Sequence, residues 1–220
     1  MAGRHLEHEH DVAIPCGETT AVGWLAVPHD PTGAVIFAHG SGSSRHSPRN
    51  RFVAASLHGS GLATLLLDLL SPEEAKDASA AFDVGLLADR LEDATTWAAD
   101  RPELSDAPLG YFGASTGAAA ALRAAARPGS GVGAVVSRGG RPDLTGPTLA
   151  AVTAPTLLIV GACDEAVLEL NRKAQAELTC ENHLTVVPGA THLFEEAGAL
   201  EAVAEAAGDW FVDKLTSERT

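Results

Sequence analysis

Three residue types that together can activate a hydroxyl group occur in this chain in a telling order: Ser115, then Asp164, then His192. The serine lies in Gly113-Ala114-Ser115-Thr116-Gly117, between an apolar run, Pro108 to Phe112, and an alanine-rich stretch, Ala118 to Ala126. A G-x-S-x-G at a strand-to-helix turn thrusts the serine hydroxyl out of a tight bend, and glycine on either side tolerates the close backbone approach. A serine hydroxyl is a poor nucleophile until a neighbouring base takes its proton. His192, in Pro188-Gly-Ala-Thr-His192, is the candidate base, because imidazole can accept that proton near neutral pH and return it to a leaving group. Asp164, in Gly161-Ala-Cys-Asp164-Glu, is the candidate orienter of the imidazole, with Glu165 its competitor. The bland alternatives are helix caps at Ser115 and Asp164, a role both residue types favour.

An acyl-transfer site also needs donors for a developing oxyanion. The residue after the nucleophile supplies one backbone N–H, here Thr116. The second is expected from the loop His39-Gly40-Ser41-Gly42-Ser43, at the N–H of Ser41. That loop is glycine-rich, but neither a Walker lysine nor a G-x-G-x-x-G accompanies it, so phosphate cradling is not its expected use. His39 is expected to brace the loop. Arg45 and Arg138 are candidates for clamping an anionic substrate group, and Arg141 shares that possibility; pairing with surface acids is the competing reading for each.

The elements that must position these residues alternate between strand-like and helix-like, which predicts an α/β fold with a mostly parallel central sheet and helices on both faces. Strands are expected at Val12 to Ile14, Val22 to Val27, Ala34 to Ala38, Ala63 to Leu67, Leu109 to Phe112, Gly133 to Ser137, Thr156 to Val160 and His183 to Val187. Helices are expected from Pro48 to about Gly59, Val84 to Ala99, Ala118 to Ala126, Glu165 to Glu177 and Ala197 to Leu215. Cys16-Gly17-Glu18 reads as a hairpin turn, Asp68 to Ala81 as a polar excursion, and Arg138 to Asp143 as a loop. The proposed site residues then fall at the carboxyl ends of strands, where open parallel sheets bind ligands.

The chain of 220 residues is expected to form one domain spanning 1–220, with a polar, solvated segment at 1–10. His5, His8 and His10 are spaced like metal ligands within that segment, but no metal site is expected. A net charge of −14 argues against nucleic acid or an anionic membrane as partner. Three cysteines, Cys16, Cys163 and Cys180, form no even set, and Cys163 is expected to be buried. The lack of an apolar leader or a ~20-residue apolar run leads us to expect a cytoplasmic protein.

With AHGSGSSRHSPRNR, LLLDLL and GASTGAAAA in view, the chain resembles the α/β-hydrolase superfamily, in its dienelactone-hydrolase-like branch. It looks like members that also occur fused to phosphoribosyltransferase domains, a second domain not expected within these 220 residues. The resemblance covers nearly the whole chain. It implies ester, thioester or lactone hydrolysis through an acyl-enzyme, without metal or organic cofactor, by Ser115, Asp164 and His192. Dienelactone hydrolases proper carry cysteine where this chain has Ser115, which turns the expectation from a dienelactone toward a serine esterase. Only a short segment separates Ser137 from Thr153, so little or no lid is expected over the site, and small soluble acyl substrates follow. A non-catalytic binding module on the same fold, or an acyltransferase, is the alternative.

Overall fold

The computed structural model describes residues 6–104 and 107–216. Eight strands form one sheet: β1 (Leu6–Cys16), β2 (Thr19–Pro28), β3 (Gly33–Ala38), β4 (Leu62–Leu67), β5 (Leu109–Ala114), β6 (Val132–Arg138), β7 (Thr156–Gly161) and β8 (Asn182–Val187). Their spatial order is β1-β2-β4-β3-β5-β6-β7-β8. β1 and β2 join antiparallel, while β4, β3, β5, β6, β7 and β8 run parallel. All six residues of β3, of β4, of β5 and of β7 are buried, which is why these strands read as unbroken apolar runs instead of alternating ones.

Five helices cover the two faces: α1 (Pro48–Gly59), α2 (Val84–Ala99), α3 (Thr116–Ala125), α4 (Glu165–Glu177) and α5 (Ala199–Thr216). One apolar cluster unites Leu65, Tyr111 and Val135 with Leu87, Leu91 and Leu122 of α2 and α3. The other unites Phe37, Phe112 and Ile159 with Leu57 of α1 and Phe211 of α5. Capping follows ordinary rules: Ser47 accepts from the Asn50 N–H to start α1 behind Pro48, and Asp83 accepts from the Leu86 N–H to start α2. Alanines line the buried side of α3 and let its backbone ride close on β5.

Two expectations change. The polar segment expected at 1–10 is already strand from Leu6, because the ladder to β2 runs from Leu6↔Pro28 through His10↔Leu25 to Cys16↔Thr19. Most of its first residues are exposed, so hydrogen bonding rather than burial holds this part. His8 and His10 are exposed on this strand, and His5 lies outside the described residues. Arg138, expected in a loop, closes β6: it pairs with Ala114, and its carbonyl accepts from the Ser115 N–H at 3.2 Å. Among the described residues no helix is long and apolar enough to cross a membrane.

Phe211 is fully buried, and its ring packs so closely on Gly110 that a Cβ there would meet ring carbon Cε1 at 2.8 Å. Phe211→Ala is expected to cost about 3–5 kcal/mol, measured as a lowered urea midpoint with unchanged slope.

Candidate active site

The carboxyl ends of β3, β5, β6, β7 and β8 share one edge of the sheet, and the loop after each brings a different residue to it. Ser115 follows β5 with φ 52° and ψ −119°, a left-handed backbone that a side chain rarely adopts. It stands at the cap position of α3, yet its side chain makes no capping bond. The hydroxyl is thereby held out of the helix and faces a cavity of about 210 Å³ together with His192. The flanking glycines are obligatory: a Cβ on Gly113 would strike the backbone of Ala118, and one on Gly117 would strike the carbonyls of Ala38 and His39. Among the described residues no hydrogen bond joins the Ser115 hydroxyl to the imidazole, although both line that cavity.

Asp164 and His192 come together through the backbone beneath them. The Cys163 N–H donates to the Ala190 carbonyl at 2.9 Å and the Ala162 N–H to the Val187 carbonyl at 2.9 Å, stitching the loop after β7 to the loop after β8. Gly161 permits this, since a Cβ there would collide with the Ala190 carbonyl. His192 Nδ1 then lies 2.6 Å from Asp164 Oδ2. With a carboxylate on Nδ1, the proton sits there and Nε2 keeps its lone pair. Asp164 occupies the cap of α4 without making a capping bond, so its carboxylate is committed to the ring. Its competitor Glu165 is exposed on the first turn of α4. Cys163, expected buried, is exposed: the stitched turn points it outward.

Sequence reasoning missed what holds the histidine loop. Glu196 accepts from the Thr191 hydroxyl at 2.6 Å and from the Thr191 N–H at 3.1 Å, and these bonds hold its carboxyl below its ordinary pKa. Phe194, buried with φ 55°, plugs the apolar layer below. The spacing of Thr191 and Glu196 resembles no common capping pattern, which is why it carried no signal.

The loop after β3 crosses the mouth of the sharp strand-to-helix turn at Ser115, the elbow of the site. His39 Nε2 accepts from the Leu69 N–H at 3.2 Å, and Nδ1 donates to the Gly40 carbonyl at 2.9 Å, so the ring braces this loop against the end of β4. The Ser41 N–H donates to the Thr116 hydroxyl at 2.8 Å, tying together the two residues expected to supply oxyanion donors. On the far side of Gly40, Ser41 and Ser43 opens a second cavity, of about 500 Å³, walled by Leu69, Leu70, Ala78, Phe82 and Leu87. Its cover is the 68–83 excursion, with short 3-10 turns at Glu74–Lys76 and Ala80–Phe82. Arg90 anchors that cover, donating to Glu74 Oε1 at 2.6 Å and to the Cys16 carbonyl at 2.9 Å. The other excursion, after β6, packs on α3 and α4, where Asn171 Nδ2 donates to the Gly140 carbonyl at 3.0 Å.

The arginines part company. Arg45 is engaged by Asp68 through both its backbone N–H and its guanidinium, and it lines neither cavity. Arg141 is forked onto Asp143 at 2.8 and 2.7 Å. Arg138 alone of the three lines the cavity that holds Ser115 and His192.

Residues 23–216 match the dienelactone hydrolase family, and the chain belongs to that family. It is 51% identical to a dienelactone hydrolase of Anabaena variabilis, whose crystal structure superposes with a TM-score of 0.92 over 96% of this chain and 100% of that one. Est1E of Butyrivibrio proteoclasticus shares the fold at 17% identity, with a TM-score of 0.79 over 94% of this chain and 99% of its own. A putative phosphoribosyl transferase of Mycobacterium tuberculosis is 59% identical over 207 residues, 94% of this chain but 47% of its own length. The chain thus spans about half of that relative, in keeping with the fused type its sequence resembles.

Burial pushes the pKa of both His39 and His58 below the ordinary 6.5. Unfolding then takes up protons at low pH, so their stabilising contribution is present above 6.5 and is lost as pH falls through the depressed folded value. The urea midpoint should drop between about pH 7 and about pH 5, and His39→Asn should show a smaller drop over the same interval.

Proposed function

We propose that this chain is a serine hydrolase that cleaves a small carboxylic ester, thioester or lactone through an acyl-enzyme. Ser115 is the nucleophile, His192 the general base and acid, and Asp164 the group that orients the ring. The observation that carries this reading is the 2.6 Å bond between Asp164 and His192, closed by backbone stitching, beside a serine held in a left-handed turn at the same cavity. A merely structural serine or aspartate at those positions would cap its helix, and neither does.

In the first half-reaction Ser115 Oγ bonds to the carbonyl carbon while its proton passes to His192 Nε2. The carbonyl oxygen takes up the electron pair against the N–H groups of Thr116 and Ser41, the latter giving up its bond to the Thr116 hydroxyl oxygen for the oxyanion. The carbon–oxygen or carbon–sulfur bond then breaks, and the imidazolium returns the proton to the leaving group. Water, deprotonated by the same nitrogen, repeats the sequence on the acyl-enzyme and releases the acid. Asp164 stabilises the imidazolium throughout without taking the proton.

The larger cavity is the natural seat of an apolar arm of the substrate, its walls being mainly leucine, alanine and phenylalanine. A small-molecule substrate and a cytoplasmic setting belong to the same reading.

Ser115→Ala should abolish labelling by a fluorophosphonate probe and lower turnover of p-nitrophenyl butyrate by ~10³-fold or more. Thr116→Val keeps both backbone donors and should cost less than the ~10²-fold expected for loss of one donor. Wild-type turnover in Ser115→Ala would refute the assignment.

A further inference from the structure

Arg138 stands in register with Ala114, the residue before Ser115, and is 8% exposed. Its Nε and Nη1 are buried with no hydrogen-bond partner, and among the described residues it forms no ion pair. Phe194 lies over it, with the ring centroid 5.8 Å from the guanidinium carbon. A ring face attracts the cation but accepts neither of the in-plane N–H groups. Its charged neighbour has the same sign. Arg49, in the first turn of α1, shares the cavity with it, and Arg49 Nε is also buried without a partner, while Nη1 reaches Glu195 Oε1 at 3.3 Å. Burial, with Arg49 adding to it, pushes the pKa of Arg138 down to about 10. Ser47 and Asn50 line the same wall, so the amino-terminal, electropositive end of α1 also borders it.

Buried charges are ordinarily paired, and this chain has 29 acidic residues against 15 basic ones from which a partner could come. A guanidinium left unpaired beside the nucleophile and next to a second guanidinium is therefore kept for something the protein does not itself supply. We propose that Arg138, with Arg49 at its side, binds an anionic group, carboxylate or phosphate, on the leaving-group arm of the substrate. The subsite deepens the hydrolase reading and rests on it for its place in the reaction. Ser115 and His192 share its cavity, whereas the apolar cavity opens beyond Gly40 and Ser41. A substrate spanning both would carry an apolar acyl arm, a carbonyl at Ser115 and an anionic alcohol arm toward Arg138.

Three butyrate esters test this: those of 3-hydroxybenzamide, 3-hydroxybenzoate and 3-hydroxyphenyl phosphate. The wild type should hydrolyse at least one charged ester with kcat/KM about tenfold or more above the neutral amide ester, and the better of the two distinguishes carboxylate from phosphate. Arg138→Met should collapse that ratio to within about twofold, and Arg138→Lys should keep part of it, since lysine retains the charge but not the fork. A wild type without preference, or an Arg138→Met variant in which all three rates fall with the ratio kept, would overturn the subsite. Binding is read separately from turnover: benzoate or phenyl phosphate should raise the melting temperature of the wild type and not of Arg138→Met. Should that variant not fold, Arg49→Met takes its place and should weaken both the ratio and the shift. Missing stabilisation by both anions overturns the subsite whatever the esterase activity. Stabilisation with neither turnover of any ester nor labelling of Ser115 would leave the subsite standing and refute the hydrolase reading instead.

Discussion

Everything at the sheet edge depends on backbone touching backbone at two glycines. Gly117 lets the start of α3 press against the carbonyls that end β3, and Gly161 lets the turn after β7 press against the Ala190 carbonyl. The first contact sets the distance between Ser115 and the His39–Ser43 loop. The second sets the distance between Asp164 and His192. No side chain could do this work, because any Cβ would separate the loops by more than a hydrogen bond can span. The site is therefore positioned by main chain, and its side chains inherit their geometry.

Much of this was legible beforehand. Buried parallel strands announce themselves as apolar runs, and α2 and α4 span the residues expected for them. The candidates Ser115, Asp164 and His192 each follow a strand on the same edge, as the strand pattern implied. What escaped was whatever depends on pairing across the sheet. The extension of β1 back to Leu6 is dictated by its partner β2, not by its own charged sequence. Arg138 read as part of a glycine-rich loop because nothing local shows that Ala114 stands beside it. Cys163 read as a small apolar residue, but the bond from its own N–H turns its side chain outward.

The arginines show how little composition says about a site. With acids in large excess, each arginine is expected to find a carboxylate, and Arg45, Arg90, Arg127 and Arg141 do. These pairs fasten loops: Asp68 to the 40–47 segment, Glu74 to α2. Net charge describes the surface a diffusing partner meets, whereas the electrostatics at the elbow come from a few cationic groups that face inward.

The long first strand has an effect away from the active edge. β1 ends the sheet, and an outermost strand offers unpaired amides to any other chain. Glu7, Glu9 and Asp11 alternate with His8 and His10 along this strand, and all five are exposed. A second copy approaching through this same strand would bring its own carboxylates near these. This border of the sheet therefore carries charge of the kind that discourages edge-to-edge pairing.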